Sequence, residues 1–171
     1  REYLRNKIEL LVVCTQTPEY QLPQTSSQVQ HRCGLSSSIV SFDLNLGCSG
    51  YIYGLSVVES LLVSLGLDYG VLITAEKYSS IVNDNDRNTK CLFSDAASAT
   101  LLSRDGKLIP GKYKFGTDGK FYDSLIVRNK NNDGKCINNV LSMNGREIFN
   151  FTVGKIPNEI SDVCKINNLS E

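Results

Sequence analysis

Ser38-Ile39-Val40-Ser41-Phe42-Asp43-Leu44-Asn45-Leu46-Gly47-Cys48-Ser49-Gly50-Tyr51 is the stretch that decides the fold. The run from Ser38 to Leu46 carries the β-branched Ile39 and Val40 and the apolar Phe42, Leu44 and Leu46, residues that suit a strand. Beyond Gly50, the residues Leu55, Val58, Leu61, Leu62 and Leu65 recur at helical spacing, a stripe whose plain use is core packing. A strand passing this abruptly into a helix places Cys48 at a helix N-terminus. There the unpaired backbone N–H groups and the helix dipole favour a thiolate over a thiol. Gly47 and Gly50 permit a sharp turn and the close approach of a substrate. The arrangement has the logic of a nucleophile elbow with sulfur in place of the serine oxygen. The competing use of a lone cysteine is burial as a small apolar side chain. Local chemistry alone leaves the two evenly matched.

Upstream, Ile8 to Thr15 is apolar apart from Glu9 and the closing Thr15, as in a strand buried on both faces. Pro18 and Pro23 make the following segment a loop. Thr25 and Gln28 stand three apart, as in a capping box, and start a short helix that Gly34 stops. Downstream, Gly66 ends the helix that follows Cys48, and Tyr69 to Ala75 is a third buried strand. Strands alternating with helices predict a layered α/β fold with a mostly parallel sheet and right-handed crossovers. Ser79 to Lys90 is polar and rich in Asn and Asp, which predicts a loop. Cys91 to Phe93 and Ser98 to Ser103 read as strands. Leu108 to Gly119 and Leu125 to Leu141 read as a β-rich insertion or crossover. A last helical stretch carries Phe149, Thr152 or Val153, Ile156, Ile160 and Val163 on one face. Pro157 predicts a kink there, or two short helices.

The 171 residues are enough for one domain with a real core. With 18 basic and 18 acidic residues the net charge is zero, which argues against nucleic acid as a partner. No apolar run approaches the length needed to span a bilayer, so no membrane association is expected. Arg1 to Lys7 is charged, but the apolar stretch behind it is short and strand-like, so a signal peptide is not expected. The chain opens without Met, which suggests a fragment. The six cysteines contain no C-x-x-C pair, and no metal site is expected. Their wide spacing fits free thiols in a reducing cytoplasm better than disulfides.

Gly47-Cys48-Ser49-Gly50-Tyr51 followed by Ile52-Tyr53-Gly54-Leu55 resembles the active-site motif of β-ketoacyl-acyl-carrier-protein synthase III, a condensing enzyme of the thiolase superfamily. Three further segments agree in the family's order. Thr15-Gln16-Thr17-Pro18-Glu19-Tyr20-Gln21-Leu22-Pro23 resembles the loop before its dimer-interface helix. Leu92-Phe93-Ser94-Asp95-Ala96-Ala97-Ser98-Ala99 resembles its Phe-Gly-Asp-Gly-Ala-Gly-Ala motif. Met143-Asn144-Gly145-Arg146-Glu147-Ile148-Phe149 resembles a segment near the cofactor channel. Each is weak alone; four in register are strong, and they cover nearly the whole chain.

The resemblance implies a partial thiolase-like fold. Residues 1–105 would be the nucleophile-bearing half without its first strand–helix unit. Residues 106–171 would be the crossover and the start of the second half. It implies Cys48 as the nucleophile that takes an acyl group from acyl-CoA, a substrate rather than a resident cofactor. Condensation with malonyl-acyl-carrier protein, in fatty acid biosynthesis, would follow. It implies a homodimer in which Leu22 reaches the partner's acyl pocket. By the same resemblance Phe93 walls the acyl pocket, Arg87 lies beside the CoA adenine, and Gly145 and Phe149 line the CoA channel. Ordinary uses compete: a turn residue for Leu22, a core side chain for Phe93, a solvated arginine for Arg87.

The family's enolate-stabilising histidine and asparagine lie in His-Gln-Ala-Asn and Gly-Asn-Thr motifs, and neither occurs in these residues. The one histidine, His31, reads as a surface or interface side chain. A central fragment of a condensing enzyme is therefore expected. Ser94, Ala97 and Ser98 stand where the family has glycine or smaller residues, and Leu46 where alanine or threonine is common. These departures leave acyl preference and pathway open. A non-catalytic thiolase-fold piece is the alternative from a different class. A related condensing enzyme of a secondary, surface-lipid or sugar pathway is another. A hydroxymethylglutaryl-CoA-synthase-like protein would want a glutamate near Cys48, for which Glu76 is the candidate.

Overall fold

The computed structural model describes residues 2–128 and 140–170. Residues 129–139 of the expected β-rich stretch, Cys136 among them, lie outside the described residues. The chain divides into two compact units, Arg1–Ser80 with Ser94–Leu108, and Ile81–Phe93 with Ile109–Glu171.

After a single helical turn, α1 (Glu2–Arg5), the first unit builds β1 (Leu10–Cys14), α2 (Thr25–Arg32), β2 (Val40–Leu44), α3 (Gly50–Ser64), β3 (Tyr69–Glu76) and β4 (Ala96–Ser103). The sheet order is β2-β1-β3-β4. β1 pairs in parallel with β2 (Leu10 opposite Val40) and with β3 (Leu10 opposite Gly70), while β4 runs antiparallel to β3. The expected α/β architecture with a mostly parallel sheet is present. Central β1 is buried along its whole length, which is why its sequence is apolar without alternation. Cys91 to Phe93 is a turn after a short helix, α4 (Arg87–Lys90), and not a strand. Asp86 caps α4 by accepting from the Asn88 and Thr89 amides, so the predicted 79–90 loop carries this helix and a 3-10 turn at Tyr78–Ser80.

One layer of the core is a cluster of Leu10, Val12, Cys14 and Leu72 from the sheet with Val58 and Leu62 from α3. The buried seam of α3 is Gly50, Gly54, Val58 and Leu62. This differs from the predicted stripe, since Leu65 is 52% exposed. Two seam positions are glycines, which a hydrophobic period cannot register. They let the helix lie close: a Cβ at Gly54 would stand 2.6 Å from Leu72 Cδ1, and on the sheet side a Cβ at Gly70 of β3 would stand 2.8 Å from Val58 Cγ1.

The predicted capping box at Thr25 is not formed. The N-cap is Gln24, without a side-chain cap. Instead, Asp43 on β2 accepts from the Thr25 amide (2.6 Å) and the Ser26 amide (2.8 Å). A carboxylate on a neighbouring strand reaches both amides at once and complements the positive end of the helix, whereas Thr25 Oγ1 and Gln28 Nε2 are buried without a hydrogen-bond partner. Asp43→Ala will destabilise the protein by about 1–2 kcal/mol, the usual scale of a lost cap. Urea unfolding will show this as a lower midpoint at unchanged slope, and Asp43→Asn will lose less.

The second unit holds α4, a 3-10 turn at Gly119–Phe121, an antiparallel pair β5 (Leu125–Val127) and β6 (Leu141–Met143), and α5 (Gly145–Ile166). Leu108 to Gly119 forms no strand. α5 is one helix through Pro157, so of the two expected outcomes the split into two short helices does not occur. Proline removes one intrahelical bond, and the helix beyond it is pinned from outside. Lys114 pairs with Glu159 (2.9 Å) and Asp162 (2.6 Å), and the Asn167 amide clasps both backbone groups of Lys112. The apolar face of Phe149, Val153, Ile156 and Ile160 is exposed, and α5 buries no residue.

Candidate active site

β1, β2 and β3 run in parallel and all end at the same edge of the sheet. Open α/β sheets bind ligands beyond the carboxyl ends of their strands, and Cys48 lies there. It is an exposed free thiol one residue before Ser49, the N-cap of α3. The Gly50 amide donates to the Gly47 carbonyl (2.8 Å), so Cys48 and Ser49 are the two corner residues of a tight turn that opens the helix. The turn is unstrained. Among the described residues, the one non-glycine with positive φ is Asn168, and Gly47 and Gly50 are not in the left-handed region either. Their glycines are needed for room. A Cβ at Gly50 would overlap Cys14 Sγ and come within 3.2 Å of Leu46 Cβ, and a Cβ at Gly47 would overlap the Gln16 side-chain amide.

Around this turn the strand ends are tied together. The Cys14 thiol donates to the Leu46 carbonyl (3.2 Å), and burial pushes it up from its ordinary pKa. Glu76, the last residue of β3, accepts from the Gln16 amide (2.8 Å) and from Thr17 Oγ1 (2.8 Å). The Lys77 amide donates to Thr17 Oγ1 at 2.7 Å. The Tyr78 hydroxyl faces Gln16 Oε1 at 3.4 Å. Burial raises the Tyr78 phenol, with smaller contributions from the charges of Glu76 and Cys48. Asp95 accepts from the amide (2.8 Å) and hydroxyl (2.6 Å) of Ser79, which hold its carboxyl below the usual range. That bond fixes the 3-10 turn carrying Tyr78 to the start of β4. Both Glu76 oxygens are engaged by the Gln16–Thr17 segment, so Glu76 acts here as a clamp on that loop.

The other sequence-predicted residues are placed as follows. Leu22 follows the same loop, is 86% exposed, and joins Pro23 through a cis peptide bond. Arg87 is the exposed first residue of α4 and Phe93 is half-buried just after that helix. Gly145 is the first residue of α5, where Asn144 caps by accepting from the Glu147 amide, and Phe149 lies one turn on and is 67% exposed. Arg87, Phe93, Gly145 and Phe149 belong to the second unit; Leu22 and Cys48 belong to the first. His31 is exposed on α2. Of the residues gathered at this edge, Glu76 is the one the sequence raises, as a candidate glutamate near Cys48, while Gln16 and Tyr78 carry no such signal. Nothing in their local spacing shows that three strand ends converge. Among the described residues no three His, Cys, Asp or Glu side chains are grouped to hold a metal, and no helix is long and apolar enough to cross a membrane.

Residues 42–119, which carry Cys48, match the family model of 3-oxoacyl-[acyl-carrier-protein] synthase III. The chain is 35% identical over 169 residues to the β-ketoacyl-[acyl-carrier-protein] synthase III of Rickettsia rickettsii (strain Sheila Smith), covering 96% of this chain and 52% of that protein. It is 35% identical over 165 residues to the enzyme of that name from Clostridium botulinum (strain Langeland), covering 92% and 50% respectively. The chain thus spans about half the length of the curated relatives it matches. Among solved structures, the 3-oxoacyl-(acyl-carrier-protein) synthase of Burkholderia xenovorans superposes with a TM-score of 0.84 at 28% identity, over 99% of this chain and 51% of the other.

Proposed function

Because this chain belongs to the 3-oxoacyl-[acyl-carrier-protein] synthase III family, we propose that Cys48 takes an acyl group from an acyl-CoA. The observation that carries this reading is the exposed thiol in the turn that opens α3, at the carboxyl ends of parallel strands. Cys48 Sγ adds to the thioester carbonyl, and its own backbone N–H is the donor for the oxygen that becomes negative. The tetrahedral adduct collapses, the bond from carbon to the CoA sulfur breaks, and CoA leaves as a thiolate that takes up a proton. The acyl-cysteine then serves decarboxylative condensation in fatty acid biosynthesis. Malonyl-acyl-carrier protein loses carbon dioxide, its enolate carbon attacks the acyl carbon, and Cys48 is released as thiolate.

In this reading residues 1–105 are the nucleophile-bearing half, and 106–171 are the crossover and the start of the second half. Phe93 walls the acyl pocket, while Arg87, Gly145 and Phe149 serve the CoA. The protein works in the cytoplasm as a homodimer, in which the exposed Leu22 enters the partner's acyl pocket. The engagement of both Glu76 oxygens favours this over the hydroxymethylglutaryl-CoA-synthase type of chemistry, which needs a free glutamate at the nucleophile.

Incubation with a short-chain acyl-CoA, followed by peptide mass spectrometry, tests the proposal. The acyl adduct will be found on Cys48 and will vanish in Cys48→Ala. Adducts spread over Cys33 and Cys91, with none at Cys48, would overturn it.

A further inference from the structure

Gln16 stands in an unusual place for an exposed loop residue. Its backbone amide is fixed by Glu76 Oε1 at 2.8 Å, so the residue cannot swing with the loop. Its side chain lies against the Cα of Gly47, the residue before Cys48, so closely that a methyl group there would overlap the amide oxygen and come within 3.2 Å of Cδ. The Tyr78 hydroxyl meets the same oxygen at 3.4 Å. The 3-10 turn bearing Tyr78 is in turn tied to Asp95 through Ser79. The Gly47 turn and the Tyr78 turn, distant from Gln16 and from each other in sequence, thus meet at one side-chain amide, which rests on the backbone of the turn holding the thiol.

We propose that Gln16 is a positioning residue for Cys48, bracing the Gly47–Gly50 turn through its contact with Gly47. Side-chain bulk at position 16 and the missing Cβ at position 47 are complementary: each is needed because of the other. Glu76 sets where the brace begins and Tyr78 sets where it ends. The role rests on the reading of Cys48 as nucleophile but makes a separate claim, about which group holds the turn.

The test is a double-mutant cycle on the 171-residue chain, read by the rate of Cys48 alkylation with iodoacetamide. Peptide mass spectrometry follows Cys33 and Cys91 in the same sample as internal standards, and thermal unfolding is measured alongside. Gln16→Ala will slow Cys48 alkylation roughly threefold or more, a typical coupling for contacting residues, and leave Cys33 and Cys91 unchanged. Gly47→Ala will slow it similarly, because the new methyl displaces the amide. The double variant will be no slower than either single one, since the methyl then occupies the vacated space. Gln16→Met, which keeps the bulk but not the amide oxygen, will retain most of the parent rate. Strictly additive effects at 16 and 47, or an unchanged Cys48 rate in Gln16→Ala, would overturn the brace. So would slowing of all three cysteines in proportion to lost thermal stability. Failure of the nucleophile reading is distinct: it would show as Cys48 being no faster than Cys33 in the parent chain.

Discussion

The 171-residue chain will yield no condensation product from malonyl-acyl-carrier protein above background, even when Cys48 is fully acylated. The two half-reactions ask for different equipment. Acylation needs a nucleophilic sulfur and a backbone donor, and both belong to the turn that opens α3. Condensation needs donors aimed at the oxygen of a thioester enolate while carbon dioxide departs. The family supplies these from a histidine and an asparagine in two motifs that do not occur in these residues, and the one histidine, His31, is exposed on α2. Losing one preorganised donor costs ~10²–10³ in rate, so losing both removes the step from view. A polypeptide extended to carry His-Gln-Ala-Asn and Gly-Asn-Thr segments will recover it. The check is radiolabelled malonyl-acyl-carrier protein, with acyl loading measured separately by mass. Robust ketoacyl product from the 171 residues alone would show that another group stabilises the enolate.

The second large effect concerns the core. Leu72→Ala will cost about 2–5 kcal/mol of stability, the range for emptying a tightly packed leucine site. Leu72 is 1% exposed on β3 and packs against the glycine seam of α3 at Gly54. Against a typical domain stability of about 5–15 kcal/mol, a loss of this size will populate the unfolded state visibly on warming. Gly54→Ala will also destabilise, by about 1–3 kcal/mol, because its methyl would stand 2.6 and 2.9 Å from the two Leu72 methyls. Together the two substitutions will cost less than their sum, as the methyl introduced at position 54 partly fills the emptied site. Urea unfolding of the parent, the two single variants and the double variant measures this directly. Strict additivity would mean that α3 does not rest on Leu72 through Gly54.

The two sets of variants separate positions that decide whether the chain folds from those that decide how Cys48 reacts. Leu72 and Gly54 act beneath α3. Gln16 and Gly47 act at its opening. A substitution in the first pair should lower stability and change the reactivity of every cysteine together. One in the second pair should move Cys48 alone.

The alternation of β1, α2, β2, α3 and β3, and with it the parallel sheet, is legible in the amino-acid sequence. The reason is local: the apolar run Leu10–Cys14 is a strand covered on both faces, and Tyr69–Ala75 is also a strand, although only Gly70 and Leu72 of it are buried. Gly34 and Gly66, both at positive φ, end their helices as read. The Gly47–Gly50 motif likewise sets Cys48 at a helix start. What the tertiary structure alone decided depends on residues distant in sequence. Asp43, not the predicted capping box, satisfies α2, because the choice of cap is made by whichever acceptor the sheet brings nearest. α5 continues through Pro157, and beyond it is held by Lys114 and Lys112, contacts no helical period encodes. The seam of α3 runs through two glycines because close approach to Leu72 and Cys14 selects for absent side chains, and hydrophobicity patterns register only side chains that are present. Gln16, Glu76 and Tyr78 meet beside Cys48 because parallel strands end at one edge, and only the order β2-β1-β3 determines which ends are neighbours.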